Sequence, residues 1–358
     1  MSRQKLTVLL PRGRRAALAA GLASVAALGL AGCRSEGATG PGAATATSPP
    51  SPRPVEKASL RLSWIKNTEF AGFFVALDKG YYRDEGIDLT INGAAQNLNE
   101  VQAVSTRADL IGLSGGLSLM LARSQGIPVK AFGALFQKGP GCFLWLEKSG
   151  IKGIQDFKGK RIGIQQTARA STEAILTMNR MSLDDVTLVT VGFDIQPLLT
   201  GQVDVLTGLV TNQVVVLEQQ GEKVGYVPYA DLGFTFYWNT PFALDDTIRD
   251  KKDLLAGWLR ASARGWDYAL KNPEETARLV VEKYGEGLDL TNQLIELKRE
   301  TPLIRTELTQ QRGLFWMERA VWERGHDILL HQTRQLERPL NLDDVVTFEI
   351  LNRAGKLP

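Results

Sequence analysis

The sequence predicts an α/β protein of two lobes, a clamshell whose chain crosses twice between them and ends in extra helices. Three observations predict it. The stretch Leu60–Ile91 reads strand, loop, helix, turn, strand. The same alternation starts afresh near Gly150. The last third carries apolar residues at helical spacing.

In the opening unit, Leu60, Leu62 and Trp64 alternate with polar neighbours, the period of a strand. Asn67 and Thr68 are residue types that cap a helix. Phe70, Phe74, Leu77 and Tyr81 then give one apolar face to pack on a sheet. Gly80 stops the helix, and Gly86 turns the chain into the alternating Ile87–Ile91. In such a βαβ unit the strand-to-helix loop lies at the carboxyl edge of the sheet, where open α/β folds bind ligands. That loop holds Trp64, Asn67, Thr68 and Glu69: a stacking surface, an amide, a hydroxyl and a carboxylate.

Asn97 or Asn99 caps the next helix, Asp109–Leu113 is a short buried strand, and Ser114-Gly115-Gly116 opens another helix ending near Gly126. Free N–H groups at that turn suit an anion or a polar edge, although tight turns also use glycine for geometry alone. Val129–Leu135 is the next strand, and Phe132–Glu147 forms the first crossing, with Cys142–Leu146 strand-like. Cys142 reads as a small buried hydrophobe whose apolar neighbours raise its thiol pKa.

The second unit has a strand at Arg161–Ile164 and a helix reached through Gln166-Thr167-Ala168. A strand at 187–191 follows, then Gly192-Phe193-Asp194, and Thr211-Asn212 opens a further helix. Lys223–Val227 is a strand, and Phe234–Asn239 is an aromatic strand that returns the chain to the first lobe. Beyond it, Lys251–Lys271, Leu294–Leu297, Phe315–Trp322 and Leu342–Leu351 carry helical patterns that complete and buttress the first lobe.

The chain begins with an address label. Basic residues between Arg3 and Arg15 precede the small-residue apolar stretch Ala16–Leu30. That stretch is too short and too rich in Ala and Gly for a membrane span. Leu30-Ala31-Gly32-Cys33 resembles a bacterial lipobox, which implies cleavage before Cys33 and a lipid on it; an ordinary secretory peptide with a chance cysteine is the alternative. Residues 34–57, rich in Ser, Gly, Ala, Thr and Pro, form a flexible linker. The expected layout is therefore leader 1–33, linker 34–57, first lobe 58–146, second lobe 147–238, and completion of the first lobe with the C-terminal helices in 239–358.

Composition narrows the function. A formal charge of +3 over 358 residues, with no basic run interleaved with aromatics, gives no sign of nucleic acid. Two cysteines exclude a disulfide scaffold and a multi-cysteine metal site. The two histidines, His326 and His331, fall in the C-terminal helices, where solvated positions are expected, and no H-E-x-x-H or G-x-S-x-G motif occurs. Neither catalytic residues, a cofactor nor a metal is expected.

Trp64, Asn67-Thr68, Ala71-Gly72-Phe73 and Lys79–Asp88 resemble the opening of the solute-binding proteins related to thiamine pyrimidine synthase. Asp156–Ile164 and Leu199–Val205 resemble later segments of that superfamily, and the likeness extends to about Asn239. Where relatives often carry a histidine after the loop, this chain has Phe70. The resemblance implies a type 2 periplasmic-binding-protein fold. It also implies a monomeric, lipid-anchored, extracytoplasmic protein serving an ABC permease and its ATPase. The implied ligand is a thiamine-precursor pyrimidine, of hydroxymethylpyrimidine or formylaminopyrimidine type. Riboflavin, a sulfonate or nitrate-type anion, and a synthase-like enzyme are the alternatives.

For a small planar heterocycle, Trp64 and Tyr237 are the expected stacking faces. Asn67 and Glu69 are expected to read amino or ring N–H donors, and Ser114, Gly115, Thr167, Asp194 and Asn212 to add polar edges. A carboxylate in the cleft favours a cationic or N–H-rich ligand over nitrate or sulfonate. Glu69 as a first-turn helix acid facing water, and Trp64 as core packing, remain the alternatives.

Overall fold

The structure, a computed structural model, describes residues 55–94 and 98–358, and the backbone alone of Thr167. The leader, Cys33, the linker as far as residue 54 and Asn97 lie outside the described residues.

Among the described residues ten strands form two five-stranded sheets. The first has the order β2 (Ile87–Asn92), β1 (Glu56–Arg61), β3 (Ile111–Ser114), β10 (Thr240–Leu244) and β4 (Val129–Ala131). The second has the order β7 (Thr187–Thr190), β6 (Arg161–Ile164), β8 (Val205–Leu209), β5 (Gly141–Leu146) and β9 (Val224–Pro228). Each sheet is parallel apart from one strand of the other return. β10 runs antiparallel to β3 and β4, and β5 antiparallel to β8 and β9. With helices on both, this is the two-lobed periplasmic-binding-protein architecture.

The βαβ opening is present, with β1 and β2 parallel from Glu56↔Ile87 to Arg61↔Asn92. Gly80 and Gly86 both take φ of +76°, as turns closing and reopening the chain require. β1 ends at Arg61, so Trp64 lies in the following loop, not at a strand end. The helix Ala71–Asp78 buries almost its whole circumference because the long helix Lys252–Lys271 packs along it and the helices Tyr81–Asp84 and Pro273–Leu279 adjoin it. The contact between these helices is close: a Cβ on Gly265 would stand 2.1 Å from the carbonyl oxygen of Gly72.

Several expected boundaries move. β5 pairs with β8 and β9, so the chain enters the second lobe before Gly141 and not at residue 147. The aromatic segment Phe234–Asn239 is not a strand; it makes one antiparallel bridge, Phe136↔Trp238, with the outgoing crossing. The strand follows it, as β10. β10 is wholly buried yet carries Pro241, a residue that argues against a central strand when met in sequence. The pattern at Phe315–Trp322 becomes helix only from Arg319, since Phe315 adopts φ +66°. Leu342–Leu351 splits into two short helices around Val346, which bridges to Ala131. The helix Leu290–Ile304 reaches beyond the first lobe, as the site makes clear.

Candidate functional site

Between the two sheets lies a cleft of about 1040 Å³, counted to its open mouth. Its first-lobe wall carries Trp64, Glu69, Glu100, Ser114 and Gly115. The second lobe presents Gln165, Ser171, Thr207 and Tyr229, and the returning crossing adds Phe234, Phe236, Tyr237 and Trp238. Six aromatic rings therefore line it: Trp64, Tyr229, Phe234, Phe236, Tyr237 and Trp238.

Trp64 stands edge-on against Phe193 of the second lobe, ring centroids 4.0 Å apart at 63°. Its indole Nε1 is buried without a hydrogen-bond partner. A buried unpaired donor costs free energy unless something accepts from it. Glu69 has the complementary deficit. It is 1 % exposed; its Oε1 accepts from Trp238 Nε1 at 3.1 Å and Asn239 Nδ2 at 2.9 Å, while Oε2 has no partner. Burial pushes its carboxyl up to about 7, against the lowering effect of those two donors. Glu69 thus faces the cleft from a buried turn, Thr68–Phe70, instead of pointing to water.

Asn67 and Thr68 do not cap the helix. Their side chains are drawn away to the helix Leu290–Ile304, where Gln293, Glu296 and Glu300 form one buried face. Asn67 Nδ2 donates to Glu296 Oε1 at 2.7 Å, and Thr68 N donates to Gln293 Oε1 at 2.9 Å. Asn212, from the second lobe, donates to the same Glu296 carboxyl. Asn67 and Asn212 therefore meet each other's partner behind the cleft and are absent from its lining.

Ser114 and Gly115 do line the cleft, and Ser114 Oγ donates to Glu100 Oε1 at 2.7 Å. Asp194 is not in the lining; its Oδ1 accepts from Gln196 N at 2.8 Å and so starts the next helical turn. Thr167 lies in the backbone turn Gln166–Ala168, and its side chain is outside the described residues. Tyr237 is 2 % exposed, its ring lies 6.0 Å from that of Trp322, and its hydroxyl accepts from Glu318 N at 2.8 Å. That anchoring makes it part of the cleft floor, with little ring face left to offer. Trp238, its neighbour, is half-buried and holds Glu69. Sequence reading passed over Trp238, Glu100, Glu296, Gln165 and Phe236. Of these, only Trp238 and Phe236 carried a signal, as members of the aromatic run.

Cys142 is free and buried inside β5, and burial pushes its thiol up. His326 is not simply solvated: its Nε2 accepts from Leu340 N at 2.9 Å. Among the described residues no group of acids, histidines and cysteines is placed to hold a metal, and no helix is long and apolar enough to cross a membrane.

A two-lobed α/β body around an aromatic cleft defines the solute-binding-protein fold class. Within it, the chain belongs to the NMT1/THI5-like family, whose model matches residues 67–276. It is 30 % identical over 305 residues to the riboflavin-binding protein RibY of Chloroflexus aurantiacus, covering 83 % of this chain and 86 % of that one. It is 22 % identical over 303 residues to the formylaminopyrimidine-binding protein of Halalkalibacterium halodurans, covering 81 % and 89 %. In fold it matches the alkanesulfonate-binding protein SsuA of Xanthomonas axonopodis pv. citri, with a TM-score of 0.66 at 14 % identity over 81 % of this chain and 98 % of that one.

Proposed function

We propose that the protein is the solute-binding component of an ABC importer and that its cleft takes riboflavin. The observation that carries this reading is the cleft itself. Six aromatic rings line it together with a buried carboxyl that has one unsatisfied oxygen, and the indole N–H of one of those rings is unsatisfied too. A flat heterocycle with an N–H beside a carbonyl supplies both missing partners, giving its N–H to Glu69 and its carbonyl to Trp64. The riboflavin-binding relative supports the same ligand.

A thiamine-precursor pyrimidine is the second reading, supported by the formylaminopyrimidine-binding relative. A sulfonate or nitrate fits poorly, because no lysine, arginine or histidine is among the cleft-lining residues. Binding without chemistry is favoured, although some relatives are named as pyrimidine phosphate synthases, among them one from Legionella pneumophila at 25 % identity. Neither described histidine nor Cys142 lines the cleft. The leader and Cys33 support an extracytoplasmic, lipid-anchored protein that hands its ligand to a permease.

Titration of the purified chain with riboflavin, formylaminopyrimidine, hydroxymethylpyrimidine, taurine and nitrate tests the assignment. Riboflavin is expected to bind most tightly; heat only from taurine or nitrate would sink it. In cells, Cys33→Ser should move the protein from the membrane to the soluble fraction, and an unchanged distribution would remove the lipid anchor.

A further inference from the structure

The cleft has a charge pattern that its aromatic walls do not explain. Two carboxyl groups, Glu69 and Glu100, line it with no cationic side chain among the lining residues. Glu100 is 8 % exposed and occupies the first position of the helix Glu100–Ser105. It is not needed as a cap there. Asn99 Oδ1 accepts from Gln102 N at 2.8 Å, and Gln102 Oε1 accepts from Asn99 N in return. Ser114 Oγ satisfies one Glu100 oxygen at 2.7 Å. Burial raises the Glu100 carboxyl, and the hydrogen bonds from Ser114 and its own backbone oppose this.

A helix N-terminus beside the cleft argues in the other direction, because such termini attract anions. Here part of that attraction is taken up by the protein itself. At the start of the helix Gly116–Ser124, the Gly116 N–H is taken by the Tyr237 carbonyl at 3.0 Å. The start of the helix Arg169–Met178 is preceded by a turn in which Ala168 N donates to Gln165 O at 2.9 Å. Gln165 and Thr207, on the second-lobe wall, are likewise bonded to each other at 2.9 Å.

We infer that Glu100 is a specificity-determining residue of this cleft: it accepts a hydroxyl of the ligand's side arm and excludes the phosphate ester of the same compound. The inference rests on the flat-heterocycle reading above. A carboxyl oxygen accepts from a hydroxyl whether the group is ionised or protonated. A phosphate monoester offers acceptors and close to two negative charges instead. Brought beside Glu100 in a partly dry site, it meets like charge or forces that acid to hold its proton, and either is unfavourable. The cleft therefore selects the unphosphorylated vitamin by repulsion as well as by fit.

The experiment compares riboflavin, flavin mononucleotide and lumiflavin, which lacks the polyol arm, by fluorescence titration of the whole chain. Wild-type protein should bind riboflavin about tenfold more tightly than lumiflavin and about hundredfold more tightly than the mononucleotide. Glu100→Gln should narrow the riboflavin-to-mononucleotide gap by about tenfold, chiefly through tighter mononucleotide binding. A wild-type mononucleotide affinity within about threefold of riboflavin's, or a gap unchanged in Glu100→Gln, overturns the inference. Should that variant fail to fold, Glu100→Asp decides: loss of the preference for riboflavin over lumiflavin supports it, and an intact preference overturns it. Failure of riboflavin, lumiflavin and both pyrimidines to bind would bring down the flat-heterocycle reading and this inference together; riboflavin bound with no discrimination brings down this inference alone.

Discussion

Asn212 and Glu296 tie the two lobes together: Asn212 Nδ2, at the head of the second-lobe helix Gln213–Gln219, lies 3.3 and 3.2 Å from the two Glu296 carboxyl oxygens. Glu296 also receives Asn67 at 2.7 Å and Gln293 at 2.8 Å, so three amides converge on one carboxyl and one of them comes from across the cleft. One turn further on, Arg299 donates to Val210 O at 3.0 Å and to Glu218 at 2.6 Å. The helix Leu290–Ile304 is thus a strap over both lobes. A contact made only when the lobes are together biases the protein towards the closed state. Asn212→Ala combined with Arg299→Ala should enlarge the radius of gyration of the ligand-free protein in small-angle scattering. It should also weaken ligand binding by about tenfold. Identical scattering curves would show that the strap is passive.

The same carboxyl makes the protein sensitive to pH. Burial pushes Glu296 up to about 8, reinforced by the nearby Glu69, and pushes Glu300 well above the carboxylate range. Glu300 has no partner for either oxygen. The folded chain therefore keeps protons that the unfolded chain, with its carboxyls near 4.5, has already shed. Where the folded state holds more protons, stability falls as pH rises. This contribution is complete below the ordinary carboxylate range and is lost as pH climbs through 7 for Glu69 and 8 for Glu296. The melting temperature should drop between pH 5 and pH 9 by several degrees more in wild type than in Glu296→Gln, whose amide cannot ionise. Parallel curves for the two proteins would contradict this.

Much of the architecture was readable because each lobe repeats a periodic signal. Alternation in Ile87–Ile91, a helical stripe in Lys252–Lys271 and glycines at forced turns such as Gly80 all have local causes. The boundaries that moved depend on distant partners. Nothing near Cys142 says that β5 will pair with β8 and β9, and Pro241 hides a central strand. The site divides in the same way. Trp64 and Glu69 stand on a loop whose place at a sheet edge follows from the βαβ pattern, and both line the cleft. Asn67 and Asn212 were legible as polar groups at that edge. Their turn towards Glu296, a residue 229 positions away from Asn67, was not. Glu100 carried no signal in the sequence, and only the fold brings it opposite Ser114.

Close packing of the helices Ala71–Asp78 and Lys252–Lys271 leaves no room for a methyl group at their crossing. A Cβ on Gly265 would meet Gly72 O at 2.1 Å, Ala76 Cβ at 2.7 Å and Ala76 N at 2.8 Å, and two of these are backbone atoms. Backbone cannot rotate aside, so the helices must separate. Gly265→Ala should cost about 1–3 kcal/mol of stability despite the gain in helix propensity, read as a lowered urea midpoint. A variant as stable as wild type would mean that the crossing is looser than these distances indicate.

Ligand capture should depend on Trp64 in two separable ways. Its ring lines the cleft and stands edge-on to Phe193 of the second lobe, and its Nε1 is buried with no acceptor. Trp64→Phe keeps a ring and removes the donor; Trp64→Ala removes both. If the indole stacks on the ligand and also donates to it, Phe should weaken binding by about tenfold and Ala by about hundredfold or more. Glu69→Gln supplies a control on the partner group. Its amide can still occupy the place between Trp238 and Asn239, but it cannot accept as a carboxylate, so binding should weaken by about tenfold and lose its pH dependence near 7. Calorimetry on the three variants, with circular dichroism to establish folding, measures each effect. Wild-type affinity in Trp64→Ala would place the ligand elsewhere and leave the unpaired indole as a feature of packing alone.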